Sequence, residues 1–220
     1  MYRSHLSLYL TRTCQRIDGF GFSLACQRAN LITNLSDKTK QRELLDLLFN
    51  RTTGAGFPIL RNGIGSTPNS NSDYMNTIAP DNPGGPNAQP QPMPTASRLA
   101  AYIKLYMQEG MNITHLGFLN EPDYSANYAR MQANGQQAVD FFKIPHTTFE
   151  REGLTSQVGI TCCNSMGRQN QVNMHNAIRS GGAEQYLRAV TSHLYTDSPF
   201  APMTANPPVW LSGQCDLQGT

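Results

Sequence analysis

Short apolar runs alternate with helix-patterned segments along this chain, and that alternation predicts an α/β fold in which helices cover a parallel sheet. Three observations carry the expectation. Apolar runs recur at 56–65, 113–119, 158–162, 189–195 and 209–215. Between several of them lie stretches with leucine, isoleucine or valine at helical spacing, as in Leu99, Ile103 and Met107. The 220 residues suffice for one domain with a sizeable core, although a typical eight-stranded parallel barrel has about 250.

Taken in order, Gln15 to Ala25 reads as a buried strand whose glycines permit close backbone approach. Ser36 and Asp37 can cap a helix over Lys38 to Phe49, with Leu44, Leu45, Leu47 and Leu48 as its apolar face. Gly56 to Gly65 reads as a second strand, Ala96 to Glu109 as a helix, and Ile113 to Leu119 as a strand ending in Asn120-Glu121-Pro122. A helix is expected from Gly135 to about Lys143, interrupted or ended by Pro145. Val158 to Cys162 is a short strand, 172–180 and 183–187 are helical, and Ala189 to Tyr195 and Val209 to Cys215 close the series as strands. Gly84-Gly85 and Gly181-Gly182 mark turns. The exception is Thr67 to Thr95, a Pro-rich irregular segment with seven prolines among Asn, Ser and Gly, in which no element is expected. The whole chain, 1–220, is expected to be one domain.

Composition excludes some partners. Net charge is +2 with only 15% charged residues, whereas nucleic-acid binding calls for basic clusters. No apolar run approaches the roughly 20 residues needed to span a bilayer. Residues 1–13 are too short and too polar for a secretory signal, while Asn34, Asn50 and Asn112 each open an N-glycosylation sequon. The five cysteines lack zinc-site spacing and the five histidines form no metal-ligand motif, so no metal and no cofactor are expected. An odd cysteine count leaves at least one thiol free or paired outside the chain. For Cys162, Cys163 and Cys215, a disulfide and plain buried thiols are equally open.

The chemistry concentrates at strand ends. Glu121 stands at the end of an apolar strand, where apolar walls raise a carboxyl pKa and favour proton donation; the plain alternative is a solvated loop glutamate. Arg61 offers a bidentate fork to a carboxylate, or is a surface arginine. His193 and Tyr195 share one face of a strand, for substrate contact or as hydrogen-bonded core residues. Trp210, the only tryptophan, is read as packing, pointing away from a barrel axis that Leu211 and Gly213 face.

Five ordered motifs, Arg16 to Ser23 (RIDGFGFS), Leu60 to Ser66 (LRNGIGS), Gly117 to Pro122 (GFLNEP), Ser192 to Tyr195 (SHLY) and Trp210 to Cys215 (WLSGQC), resemble glycoside hydrolase family 30. Within it the wording is most similar to fungal endo-β-1,6-galactanases. The resemblance runs over nearly the whole chain except 67 to about 98. It implies a (β/α)8 TIM barrel with a retaining mechanism, secretion, and a polysaccharide or oligosaccharide partner. No nucleic-acid or membrane partner is expected, and a monomer is. By resemblance Glu121 falls on the acid/base position and Asn120 beside it on the sugar 2-hydroxyl. Arg61 falls on the arginine that orients the nucleophile, and His193 and Tyr195 on strand six. Gly213 falls on the nucleophile position, where a retaining enzyme needs its second carboxylate. Strands three and eight of the barrel are not recognisable, so the barrel is expected to be incomplete. The implied function is hydrolysis of β-linked galactan-like polysaccharide, impaired by Gly213. The alternatives are a carbohydrate-binding protein without turnover and a truncated inactive product. Asp216 lies three residues beyond Gly213, on the opposite strand face, and is not expected to substitute.

Overall fold

The computed structural model describes residues 16–24, 28–64, 95–125, 132–200 and 202–214. The chain forms two compact units, Met1–Asn62 and Gly63–Thr220.

The first unit has the order β1 (Gly21–Ser23), α1 (Arg28–Thr33), α2 (Lys38–Phe49) and β2 (Ile59–Arg61). β1 and β2 pair in parallel, Gly21 with Ile59 through Ser23 with Arg61, as a helical crossover requires. Asp37 caps α2 by accepting the amides of Thr39 and Lys40. The strands are far shorter than the sequence suggests. The ladder is three residues long, Ile17 and Phe20 are exposed, and Leu60 is also exposed, so neither strand is buried. Leu47, expected on the inner face of α2, is exposed too.

The second unit holds α3 (Thr95–Gln108), β3 (His115–Gly117), α4 (Gly135–Arg151), β4 (Gly159–Ser165), α5 (Arg168–Ser180), a 3-10 turn (Glu184–Tyr186), β5 (Leu187–His193) and β6 (Val209–Gly213). Its sheet is parallel throughout, in the order β3-β4-β5-β6. Leu99 and Ile103 of α3, Val139, Phe142 and Phe149 of α4, and Ile178 of α5 join Leu116, Ile160 and Val190 of the strands in one buried cluster. Met107, placed by spacing on the same stripe of α3, is exposed because it lies one turn beyond the covered face.

α4 differs most from expectation. Asn134 and Gln137 form a capping box at its start, and a Cβ on Gly135 would collide with the Ala177 methyl, so the glycine lets α4 approach α5. The helix then runs through Pro145 to Arg151. A helix-interior proline costs about 3 kcal/mol. Beyond it the helix buries Thr148 and Phe149 and makes the contact to Leu154. Burial of an aromatic side chain stabilises by about 1.5–3 kcal/mol, and the further helical bonds supply the rest. Residues 183–187, expected as helix, split into the 3-10 turn and the first residue of β5. Of the Pro-rich segment only Thr95 lies among the described residues; Cys14, Cys26, Cys215 and Asp216 lie outside them. Cys162 and Cys163 are joined to each other in a disulfide.

Glu184 fastens the strand-entry end of this unit. Its Oε1 accepts from His175 Nε2 at 2.8 Å and from the Asn206 amide at 3.0 Å, and its Oε2 from Asn206 Nδ2 at 2.8 Å. Burial pushes the carboxyl pKa up, but the Asn206 amide, His175 and Arg179 together outweigh it and hold it below the ordinary carboxylate value. A depressed folded pKa contributes stability above the unfolded value, about 4.3, and loses it as pH falls through the folded one. Melting temperature is therefore expected to fall on acidification below about pH 4, and Glu184→Gln to flatten that acid limb. An unchanged acid limb in the folded variant would remove Glu184 from the account.

Candidate functional site

Alternation gives the sheet two faces. One carries Leu116, Ile160 and Val190 into the helix-covered core. The other carries His115, Gly117, Thr161, Thr191 and His193. Trp210 lies on this second face, its ring 4.5 Å from that of His115 across two intervening strands. This corrects the expected direction of Trp210. Leu211, expected to face inward, is exposed instead. The register shift between Ser192 and His193 breaks the alternation on which that expectation rested.

The carboxyl ends of parallel strands are where α/β sheets place their sites. Glu121 follows β3 by four residues, is 6% exposed, and holds a left-handed φ of 50°. Its amide donates to the Asn164 carbonyl at 2.9 Å. His193, the last residue of β5, is 2% exposed, and its Nδ1 lies 2.9 Å from Glu121 Oε1. The carboxylate form of Glu121 accepts Nδ1–H; the carboxylic acid form donates to bare Nδ1. Both fit the same distance, so the pair can pass Glu121 through both protonation states with little movement, as acid/base work requires. Tyr195 stands edge-on to His193, with ring centroids 5.4 Å apart. On the other side of β5, the register partner of His193 is Gly213.

The structure therefore brings together Glu121, His193, Tyr195 and, through the ladder, Gly213, with Asn120 next to Glu121 in the chain. Arg61 ends β2 in the first unit, opposite Ser23. Among the described residues, Ser165 Oγ, Thr191 Oγ1 and His193 Nε2 are buried without a hydrogen-bond partner. All three lie on the two central strands. Native interiors leave few such atoms, and they collect where function requires them.

Two residues escaped the sequence reading. Asn164 is buried at the end of β4, and Ser212 precedes Gly213 on β6. Ser212 Oγ donates to Asn164 Oδ1 at 2.5 Å and lies 3.2 Å from the Ser192 carbonyl. The available signal was a polar Asn-Ser pair closing an apolar strand at its carboxyl end.

No protein-family model matches the chain. Among solved structures it is similar to the catalytic domain of the GH30 xylanase C from Talaromyces cellulolyticus, with 31% identity and a TM-score of 0.75. That match covers 91% of this chain and 58% of the xylanase. An endo-β-1,6-glucanase gives 20% identity and a TM-score of 0.63, over 87% of this chain and 55% of that one. At that identity the second match speaks for the fold alone. The chain spans less than two thirds of either structure. The fold is α/β of the TIM-barrel type, present here in part. The match at 31% identity is to a member of glycoside hydrolase family 30.

Proposed function

We propose that this chain carries the sugar site of a retaining glycoside hydrolase acting on β-linked, galactan-like polysaccharide, with its acid/base kept in Glu121 and its nucleophile lost at Gly213. The observation that supports it is that His193 is bonded to Glu121 and paired in the ladder with Gly213. A buried carboxyl bonded to an imidazole lies on one side of β5, and a glycine pairs with that same residue on the other. Asn120 and Tyr195 are the further sugar-contacting residues of this reading. Secretion and a monomeric state go with it.

Retaining enzymes attack the sugar from the face opposite the leaving group, from a carboxylate about 5–5.5 Å from the acid. With glycine there, azide can enter from that face while Glu121 protonates the departing oxygen. The C–O bond to the leaving group breaks as the C–N bond to azide forms. The expected result is azide-dependent cleavage of phenyl β-galactoside, whose basic leaving group needs a proton, to the α-configured glycosyl azide, and its loss in Glu121→Gln. A β-configured product would place the open face on the Glu121 side and overturn the assignment. The same glycine favours a second reading, sugar binding without turnover. Calorimetric binding of galacto-oligosaccharides with no azide-dependent cleavage would decide for that one.

A further inference from the structure

We propose that Asn164 is a positioning residue that fixes the Glu121 loop and the Gly213 end of β6 to a common reference on β4. This role rests on the reading of Glu121 and Gly213 given above. All three polar groups of Asn164 that face the site are engaged. Its carbonyl accepts the Glu121 amide at 2.9 Å, its Nδ2 donates to the Leu119 carbonyl at 2.9 Å, and its Oδ1 accepts from Ser212 Oγ. The first two bonds hold the turn that carries Glu121. The third reaches over β5 to the residue before Gly213. Strands β4 and β6 are not neighbours in the sheet, so no ladder bond couples them, and this side chain does.

The residue type follows from the geometry. Asn164 has φ of 55°, a region asparagine enters far more readily than most residues with a side chain. The register shift between Cys163 and Ser165 turns it out of the ladder. Its amide supplies one donor and one acceptor in the places where Leu119 presents an acceptor and Ser212 a donor. A Cβ on Gly117 would lie 3.5 Å from Asn164 Nδ2, an ordinary contact, and 3.0 Å from Thr161 Oγ1, a tight one, so glycine at 117 spares Thr161 rather than the amide. Aspartate at 164 would turn an oxygen toward the Leu119 carbonyl. Glycine would keep the left-handed backbone and delete both side-chain bonds.

Imidazole nitrogen–proton NMR spectra of the unmodified chain and two variants supply the test. His193 Nδ1, bonded to Glu121, reports the site; His175 Nε2, bonded to Glu184, reports the fold. In Asn164→Gly the proton shared between His193 Nδ1 and Glu121 is expected to shift upfield and to exchange with water at least about tenfold faster, while the His175 signal stays. Ser212→Ala is expected to move the His193 signal in the same direction and by less. An unmoved His193 signal in Asn164→Gly, with His175 intact, overturns the proposal. If Asn164→Gly loses both signals, Ser212→Ala decides by the same criterion. The readout needs no turnover. A His193 signal that follows Asn164 while Glu121→Gln leaves azide-dependent cleavage intact would support the positioning role and remove only the acid/base assignment.

Discussion

Gly213→Glu is expected to raise hydrolysis of an aryl β-galactoside by roughly 10³-fold or more, because a nucleophile that works as part of a unit contributes on that scale. The backbone at this position accepts any residue type, since Gly213 is in the extended strand β6. Its register partner His193 already holds Glu121 on the opposite side, so a carboxylate at 213 would join an acid that is buried and fixed. The restored enzyme should show net retention at the sugar carbon, since two inversions follow from a covalent intermediate. Adding Glu121→Gln should then cost poor leaving groups far more than activated ones, because only the former need a proton. Kinetics with phenyl and dinitrophenyl glycosides, with the product anomer followed by proton NMR, checks both statements. A Gly213→Glu protein that melts like the parent and turns over less than about tenfold faster would show that the nucleophile position lies elsewhere.

Phe142→Ala is expected to have the largest effect on stability. Phe142 is fully buried on α4 and meets Phe118 edge-on at 5.3 Å, while Phe118 stacks on the neighbouring Phe141 at 4.1 Å. Loss of the ring combines transfer and cavity terms of about 3–5 kcal/mol, against about 5–15 kcal/mol for a whole domain. A melt should shift down by roughly 6–20 °C. Leu105→Ala on the exposed side of α3 is the control, expected within about 0.5 kcal/mol of the parent. Equal shifts for the two variants would mean that α4 does not pack as described.

What could be read from the sequence divides along physical lines. The parallel α/β arrangement and the positions of most elements in 95–213 were legible, because a 3.6-residue or uninterrupted apolar pattern is written locally. Glu121 and His193 were legible as strand-end residues. Their mutual bond was not, since it joins residues 72 apart in sequence. Pro145 misled because its local cost is visible in sequence, whereas the packing of Phe149 that offsets it is tertiary. Trp210 misled because a register shift is invisible to an alternation argument. The short strands of the first unit were overread because apolar composition there does not reveal how few residues the ladder pairs. Asn164 was missed because its value lies in three partners scattered over 119–212, none of which its own neighbourhood announces.

The strand order β3-β4-β5-β6 also grades the site in time. Inner strands of a sheet open only with the whole unit, whereas outer ones fray at lower free energy. Glu121 hangs beyond a three-residue outer strand and Gly213 ends the other outer strand, while His193 and Asn164 belong to the two inner ones. Among the described residues, Glu121 and Gly213 thus follow the outer strands of this sheet, which open at lower free energy, and the residues bonded to or paired with them follow the inner strands, which open last. Fluctuations at the two rims are referred to one slower frame.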